Sequence, residues 1–233
     1  MMLRSAINRL SAPFRRLRRG DVMAGGRGAS ATPLCREYGY SRGTPIDRYY
    51  IDRFLAEHRE DIRGRVLEIG DYTYSRRFGG SRITKQDVLH VEAGHPQATI
   101  TGDLASPGVL RRGTFDCIIL TQTLHLIFDM AAAVQQIHTA LSPGGVALVT
   151  VPGISPIHGG PWTDRWYWSL TDVALARLLS GPFAASSVTR SSHGNLYAAT
   201  AFLHGASAEE IETARLDPVD SAYPVTVAAR AVA

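Results

Sequence analysis

Two segments, "FDCIILTQ" and "GVALVTVP", carry apolar residues at consecutive positions and end in polar or turn-forming ones. A strand that is apolar on both faces must be covered on both faces, which requires helices above and below a largely parallel sheet. Between the two, "DMAAAVQQIHTAL" has helical periodicity. Further strand-like runs stand at "RVLEIG", "ITKQDVLHV", "ATITGDL", "ASSVTRS" and "PVTVAAR". Helices are expected at "TPIDRYYIDRFLAEHREDI", with Thr44 as N-cap and Pro45 at the first helical position, and at "LTDVALARLLSG", closed by Gly181. The expectation is an α/β fold with a mostly parallel seven-stranded sheet and helices on both faces. A chain of 233 residues, 45% of them hydrophobic, suits one such domain, here 34–233.

Charge is distributed unevenly. The sequence pI is about 9.3, yet the first 27 residues hold seven arginines against one aspartate, and the remainder has 18 basic and 20 acidic residues. The basicity therefore belongs to a leader, and the folded part has no electrostatic footprint for a nucleic acid. Residues 1–33 are expected to be a disordered or weakly helical tail followed by a Gly/Ala-rich linker. The helical spacing of Leu3, Ile7, Leu10, Phe14 and Leu17 among the arginines leaves weak membrane-surface contact as the alternative. Cys35 and Cys117 form no CxxC pair, and the histidines have no metal-ligand spacing, so neither a disulfide framework nor a metal site is expected. A cytoplasmic setting fits, with no apolar run long enough for a membrane span.

In parallel sheets, ligands sit beyond the carboxyl ends of the strands. "VLEIGD" puts Glu68, Gly70 and Asp71 at the end of the first strand. Asp87, nineteen residues after Glu68, is expected at the end of the second, accepting hydrogen bonds from a ribose diol; Asp103 of "TGDL" follows the third, facing an adenine amine. A dinucleotide needs a second glycine so that its pyrophosphate can approach the backbone, and Tyr72 stands there. A sulfonium cofactor has no phosphate and tolerates the tyrosine better; a remodelled, empty pocket is the third possibility. Only about ten residues separate Asp71 from Ile83, so the crossover should be a stub of one or two turns.

With "TQTLHLI" after the fourth strand and the "LSPGG" turn before the fifth, the sequence resembles class I S-adenosylmethionine-dependent methyltransferases, which have a Rossmann-like fold. "RGTPIDRYYIDRFL", "EIGDYTYSRRFGG" and "TQTLHLI" together resemble, more narrowly, the methyltransferase-like domains found beside bacterial glycosyltransferases. Ser169 stands where that group's Trp-rich segment has an arginine.

The resemblance implies S-adenosylmethionine as cofactor, a small or glycan-linked acceptor and a glycosyltransferase partner. It assigns Glu68, Gly70 and Asp71 to the methionine end and the turn, and Asp87 to the ribose. Asp103 and Leu104 go to the adenine, and Thr121 and Gln122 to the floor beneath the sulfonium. His125 is the expected general base, with His158 behind it; the alternative is a histidine that only packs. Arg42 is a candidate for the methionine carboxylate, and Trp162, Trp166, Tyr167 and Trp168 for either a lid over the acceptor or a loop anchor. His90 and His95 read as surface residues. A non-catalytic domain that scaffolds a glycosyltransferase is the alternative function, favoured if Tyr72 or Tyr74 fills the pocket.

Overall fold

A computed structural model describes residues 31–157, 160 and 162–233. The basic leader, most of the linker, and His158 lie outside the described residues. The seven strands are β1 (Gly64–Ile69), β2 (Ile83–His90), β3 (Ile100–Thr101), β4 (Phe115–Thr121), β5 (Leu141–Pro152), β6 (Val188–His193) and β7 (Thr226–Val232), in spatial order β3-β2-β1-β4-β5-β7-β6. The first five pair in parallel, whereas β7 runs antiparallel to both β5 and β6, so the sheet is mixed. Side chains could not announce this reversal. "TVAARAV" is buried on both faces as any central strand is, whichever way it runs.

Alternation along the central strands divides the core in two. Leu67, Ile118, Leu120, Ala147 and Val149 face one side, where α2 (Met130–Ala140) and α3 (Asp172–Leu179) cover them. Val66, Cys117, Ile119 and Leu148 face the other, under Ile51, Phe54 and Leu55 of α1 (Ile46–Glu57). The α1 helix begins one residue later than expected, with Pro45 in the cap position. Thr44 caps nothing: its N–H donates to Glu209 and its carbonyl accepts from the Ala208 N–H. At its far end, α3 stops at Ser180 and not through Gly181. Two helices had no sequence signal read for them, α4 (Leu196–Leu203) and α5 (Thr213–Leu216). With its buried Ala198, Ala199, Ala201 and Phe202, α4 builds a third cluster against Ile46 and Tyr50.

The crossover from β1 to β2 is one π-helical turn, Ser75–Gly79, and one 3-10 turn, Gly80–Arg82, matching the short stub expected from the spacing. It leaves the carboxyl ends of β1 and β2 uncovered by a long helix. Among the described residues no helix is long and apolar enough to cross a membrane.

Candidate functional site

The turn after β1 is held by its own acids. Gly70 has φ +94°, a conformation that strains any L side chain, and its N–H donates to the Leu89 carbonyl. A Cβ added there meets nothing within 4 Å, so the space above it is open and only the backbone demands glycine. Asp71 accepts the Thr73 N–H at 2.7 Å. Glu68, 2% exposed, accepts the Tyr74 N–H at 3.0 Å through one oxygen and the Ser75 N–H at 2.7 Å through the other. Burial pushes its carboxyl up to about 7, against the pull of those hydrogen bonds. The Tyr72 ring lies under the Arg76 guanidinium, 3.5 Å from it, and lines neither lobe of the cleft beyond the strand ends.

Beyond the strand ends lies a cleft of two lobes that share Tyr40, Arg48, Ile69 and Gly70 in their walls. The smaller, about 570 Å³, is charged: Glu68, Asp71, Thr73, Arg77 and Thr121 line it. Tyr74 borders this lobe without filling it. The larger, about 810 Å³, is bounded on one side by Leu89, His90, Asp103 and Leu104, and on the other by Gln122, His125 and an aromatic wall of Tyr38, Trp162, Trp166 and Tyr167. Asp103 accepts the Ala105 N–H at 2.9 Å, as an acid does in its own turn. Gln122 has φ +46°, fixed by its N–H donating to Thr150, and its side-chain amide nitrogen is buried without a partner among the described residues. Arg48 stands where the lobes meet, held through Nε by the Tyr40 hydroxyl at 2.9 Å and through a terminal nitrogen by the Tyr74 hydroxyl at 3.4 Å. Its contact with Asp47 is long, 3.9 Å.

Seven of the eight expected cofactor residues border this cleft. Asp87 does not, and its assignment to the ribose is corrected. It lies three residues before the end of β2, buried, with one oxygen 2.7 Å from Arg65 Nε and the other accepting from the Thr99 hydroxyl at 3.0 Å. The residue at the end of β2 is His90, whose ring stacks on that of His95 at 4.1 Å. Its Nδ1 accepts the Glu92 N–H at 3.0 Å, which leaves Nε2 carrying the proton as a donor. Neither histidine is the plain surface residue expected, since both are half-buried.

Arg42 is likewise withdrawn from the cofactor: Glu210 takes its guanidinium in a two-pronged pair. Arg48 is the guanidinium that both lobes share; Arg77, paired with Asp52 at 2.6 Å, lines the smaller lobe and Arg165 the larger. His125 sits in a 3-10 turn, Leu124–Leu126, 2% exposed, with its ring 4.4 Å from that of Trp166. Neither ring nitrogen has a partner among the described residues. Burial, with the charge of Arg48 second, pulls its pKa down to about 3. Among the described residues no group of three or more His, Cys, Asp or Glu is arranged to hold a metal ion.

Known proteins share this architecture. The chain is 28% identical over 131 residues to the highly reducing polyketide synthase stpks1 of Strobilurus tenacellus, a match over 51% of this chain that spans 5% of the synthase. Among solved structures, the CurJ carbon methyltransferase superposes with a TM-score of 0.53 at 13% identity, covering 84% of this chain and 57% of that one. A SAM-dependent methyltransferase from Archaeoglobus fulgidus gives 0.53 at 10% identity, covering 80% and 94%. The N-methyltransferase NodS from Bradyrhizobium japonicum, in complex with S-adenosyl-l-homocysteine, gives 0.51 at 14% identity, covering 83% and 90%. At these identities the structural likeness establishes the fold. A family model described as a methyltransferase domain matches residues 3–204, and the chain belongs to that methyltransferase-domain family.

Proposed function

We propose that this protein is a class I S-adenosylmethionine-dependent methyltransferase acting on a small acceptor. The observation that carries the reading is the two-lobed cleft meeting over Gly70, charged on one side and mostly apolar on the other. The cofactor is divided the same way, into a zwitterionic amino acid and a nucleoside. Asp71 and the acid-lined wall suit its ammonium, and Arg48 its carboxylate. His90, Asp103 and Leu104 suit the adenosine, and the unpartnered amide of Gln122 suits an acceptor atom on it. When bound, the sulfonium supplies an electrophilic methyl group.

The chain's own residues then position the acceptor and exclude water. An acceptor hydroxyl becomes a strongly acidic oxonium as it takes a methyl group, and His125, a weak base with its pKa drawn down by burial, is the buried group in the wall of the larger lobe placed to take that proton. With a pKa near 3, its imidazole is already neutral throughout the physiological range and accepts a hydrogen bond without first having to lose a proton. It takes the proton only as positive charge develops on the acceptor, and Trp166 fixes the ring for that contact.

The glycan-linked acceptor, a bacterial source and a glycosyltransferase partner come from the narrower resemblance; what supports them is the three-segment motif alone. The scaffolding alternative is favoured if a tyrosine fills the cleft; Tyr72 lines neither lobe and Tyr74 lies in the wall of the smaller, which supports the catalytic reading. Calorimetric titration of the full chain with S-adenosylmethionine and S-adenosylhomocysteine tests the reading. Saturable binding of both supports it, and no binding of either overturns it.

A further inference from the structure

Outside the cofactor half of the cleft, three large aromatic side chains stand in solvent at its mouth. Phe128 is 69% exposed, Tyr167 45% and Trp168 37%. Phe128 contacts both of the others, edge-on to Tyr167 at 5.3 Å and tilted against Trp168 at 5.7 Å. They come from two segments, one after β4 and one after β5, tied together by two hydrogen bonds. The Trp168 indole N–H donates to the Ile127 carbonyl at 3.1 Å, and the Tyr167 N–H to the His125 carbonyl at 3.2 Å.

A loop anchor buries its rings, and Trp166 already does that, packed between His125 and Tyr38. The three rim rings are left over from that task, and a contiguous exposed apolar patch at a cavity mouth marks a binding surface. We propose that Phe128, Tyr167 and Trp168 form the acceptor-recognition surface, and that the acceptor has an apolar, ring-bearing body with its nucleophile at one end. This rests on the methyltransferase reading and names its substrate class.

Two observations set the orientation and the chemistry. The rim is continuous with the lobe that holds His125, which is 2% exposed and whose ring nitrogens have no partner among the described residues. The polar end of the acceptor therefore goes inward and its body lies along the rim. The rim has little to offer a ring of hydroxyls. Phe128 has no polar atom, the Trp168 N–H is taken and Asp129 gives one oxygen to the Ala132 N–H at the start of α2, which leaves the Tyr167 hydroxyl and the second Asp129 oxygen as the rim's polar groups. A bare sugar could pair only a few of its hydroxyls with the rim and would leave the rest to water, whereas an apolar ring covers more of the exposed aromatic area when it stacks there.

The test titrates the full chain, saturated with S-adenosylhomocysteine, with 2-naphthol and separately with methyl α-glucoside. The expected result is saturable naphthol binding, weakened about 3- to 10-fold by Phe128→Ala and by Tyr167→Ala, with S-adenosylhomocysteine affinity within about twofold of wild type. Phe128→Leu, which keeps apolar area, should lose less, and thermal melts confirm that each variant is folded. Unchanged naphthol affinity in a folded Phe128→Ala/Tyr167→Ala variant overturns the proposal, as does tighter binding of methyl α-glucoside than of naphthol. If wild type fails to bind S-adenosylhomocysteine, it is the methyltransferase reading that fails. The naphthol titration without it then still decides whether the rim binds an apolar ring.

Discussion

Replacing Asp87 separates a structural acid from a cofactor ligand. Its side chain is 6% exposed and that of Arg65 is 31% exposed, with 2.7 Å between Arg65 Nε and the carboxylate. The second oxygen accepts from Thr99, whose hydroxyl in turn accepts the Val88 N–H, so the acid fastens the segment after β2 back onto that strand. Removing one member of a buried ion pair costs about 3–5 kcal/mol. Arg65 regains water and keeps its place over the Phe115 ring, so Asp87→Ala should cost nearer 2–3 kcal/mol, lowering Tm by roughly 5–10 °C in a domain of this size. Asp87→Asn, which still accepts from Thr99, should lose about half as much. Urea denaturation and thermal melts measure the stability, and calorimetry with S-adenosylhomocysteine measures the site. Affinity should stay within about twofold of wild type. A folded variant with an unshifted Tm and affinity down more than tenfold would return Asp87 to the ribose and refute this placement.

His90→Ala should weaken S-adenosylhomocysteine binding about 3- to 10-fold, the cost of one neutral hydrogen bond in the cleft; unchanged calorimetric affinity removes it from the nucleoside. Arg48→Gln should weaken the same ligand at least tenfold while leaving 5′-methylthioadenosine, which lacks the amino-acid end, within about twofold; equal losses for both ligands would mean that Arg48 acts elsewhere. Stability should also depend on pH through two opposed groups. Glu68, raised to about 7, contributes stability that is complete below about pH 4.5 and lost as pH rises to 7, because the folded form keeps a proton that the unfolded form releases. His125, lowered to about 3, contributes stability that is present above about pH 6.5 and lost as pH falls toward 3. The difference between wild type and Glu68→Gln in urea should therefore shrink between pH 4.5 and 7, and a constant difference would refute the shift.

The frame of the fold was legible because burial on both faces leaves a pattern in the residues themselves: "CIIL" and "VALV" have one place in an α/β sheet. Strand direction leaves no such pattern, hence the antiparallel β7. The lining of the cleft was legible where a residue stands just past the carboxyl end of a strand, as with Gly70, Asp71, Asp103 and Gln122. That legibility fails where residue type and strand position diverge. Asp87 is the acid of the segment but lies inside β2, and the residue at the end of β2 is a histidine, His90, which a pattern of acids does not reach. Arg42 failed for another reason, since its partner Glu210 is 168 residues away and no local pattern links them. Arg48 lies in the segment "TPIDRYY" with no local pattern to mark it, and its place in the cleft comes from Tyr40 and Tyr74 converging on its guanidinium.

The tyrosines of the first turn are explained by what Glu68 does. A phosphate-binding turn offers free N–H groups at the start of a helix and needs glycines so that the anion can come close. Here the N–H groups of Tyr74 and Ser75 are bonded to the two oxygens of a buried carboxylate. A pyrophosphate arriving at this turn meets an acid and spent donors, and would have to displace the Glu68 hydrogen bonds to gain its own. Close approach has no value there, so the second glycine has no task, and Tyr72 turns its ring outward under Arg76 at no cost to the cleft. Gly70 has a backbone requirement, its φ of +94°, and it is the one glycine in the stretch "GDYTYS". An acid-lined turn with one glycine disfavours an anion and suits an ammonium or a sulfonium beside it. The departure from the dinucleotide pattern is thus itself a statement about ligand charge.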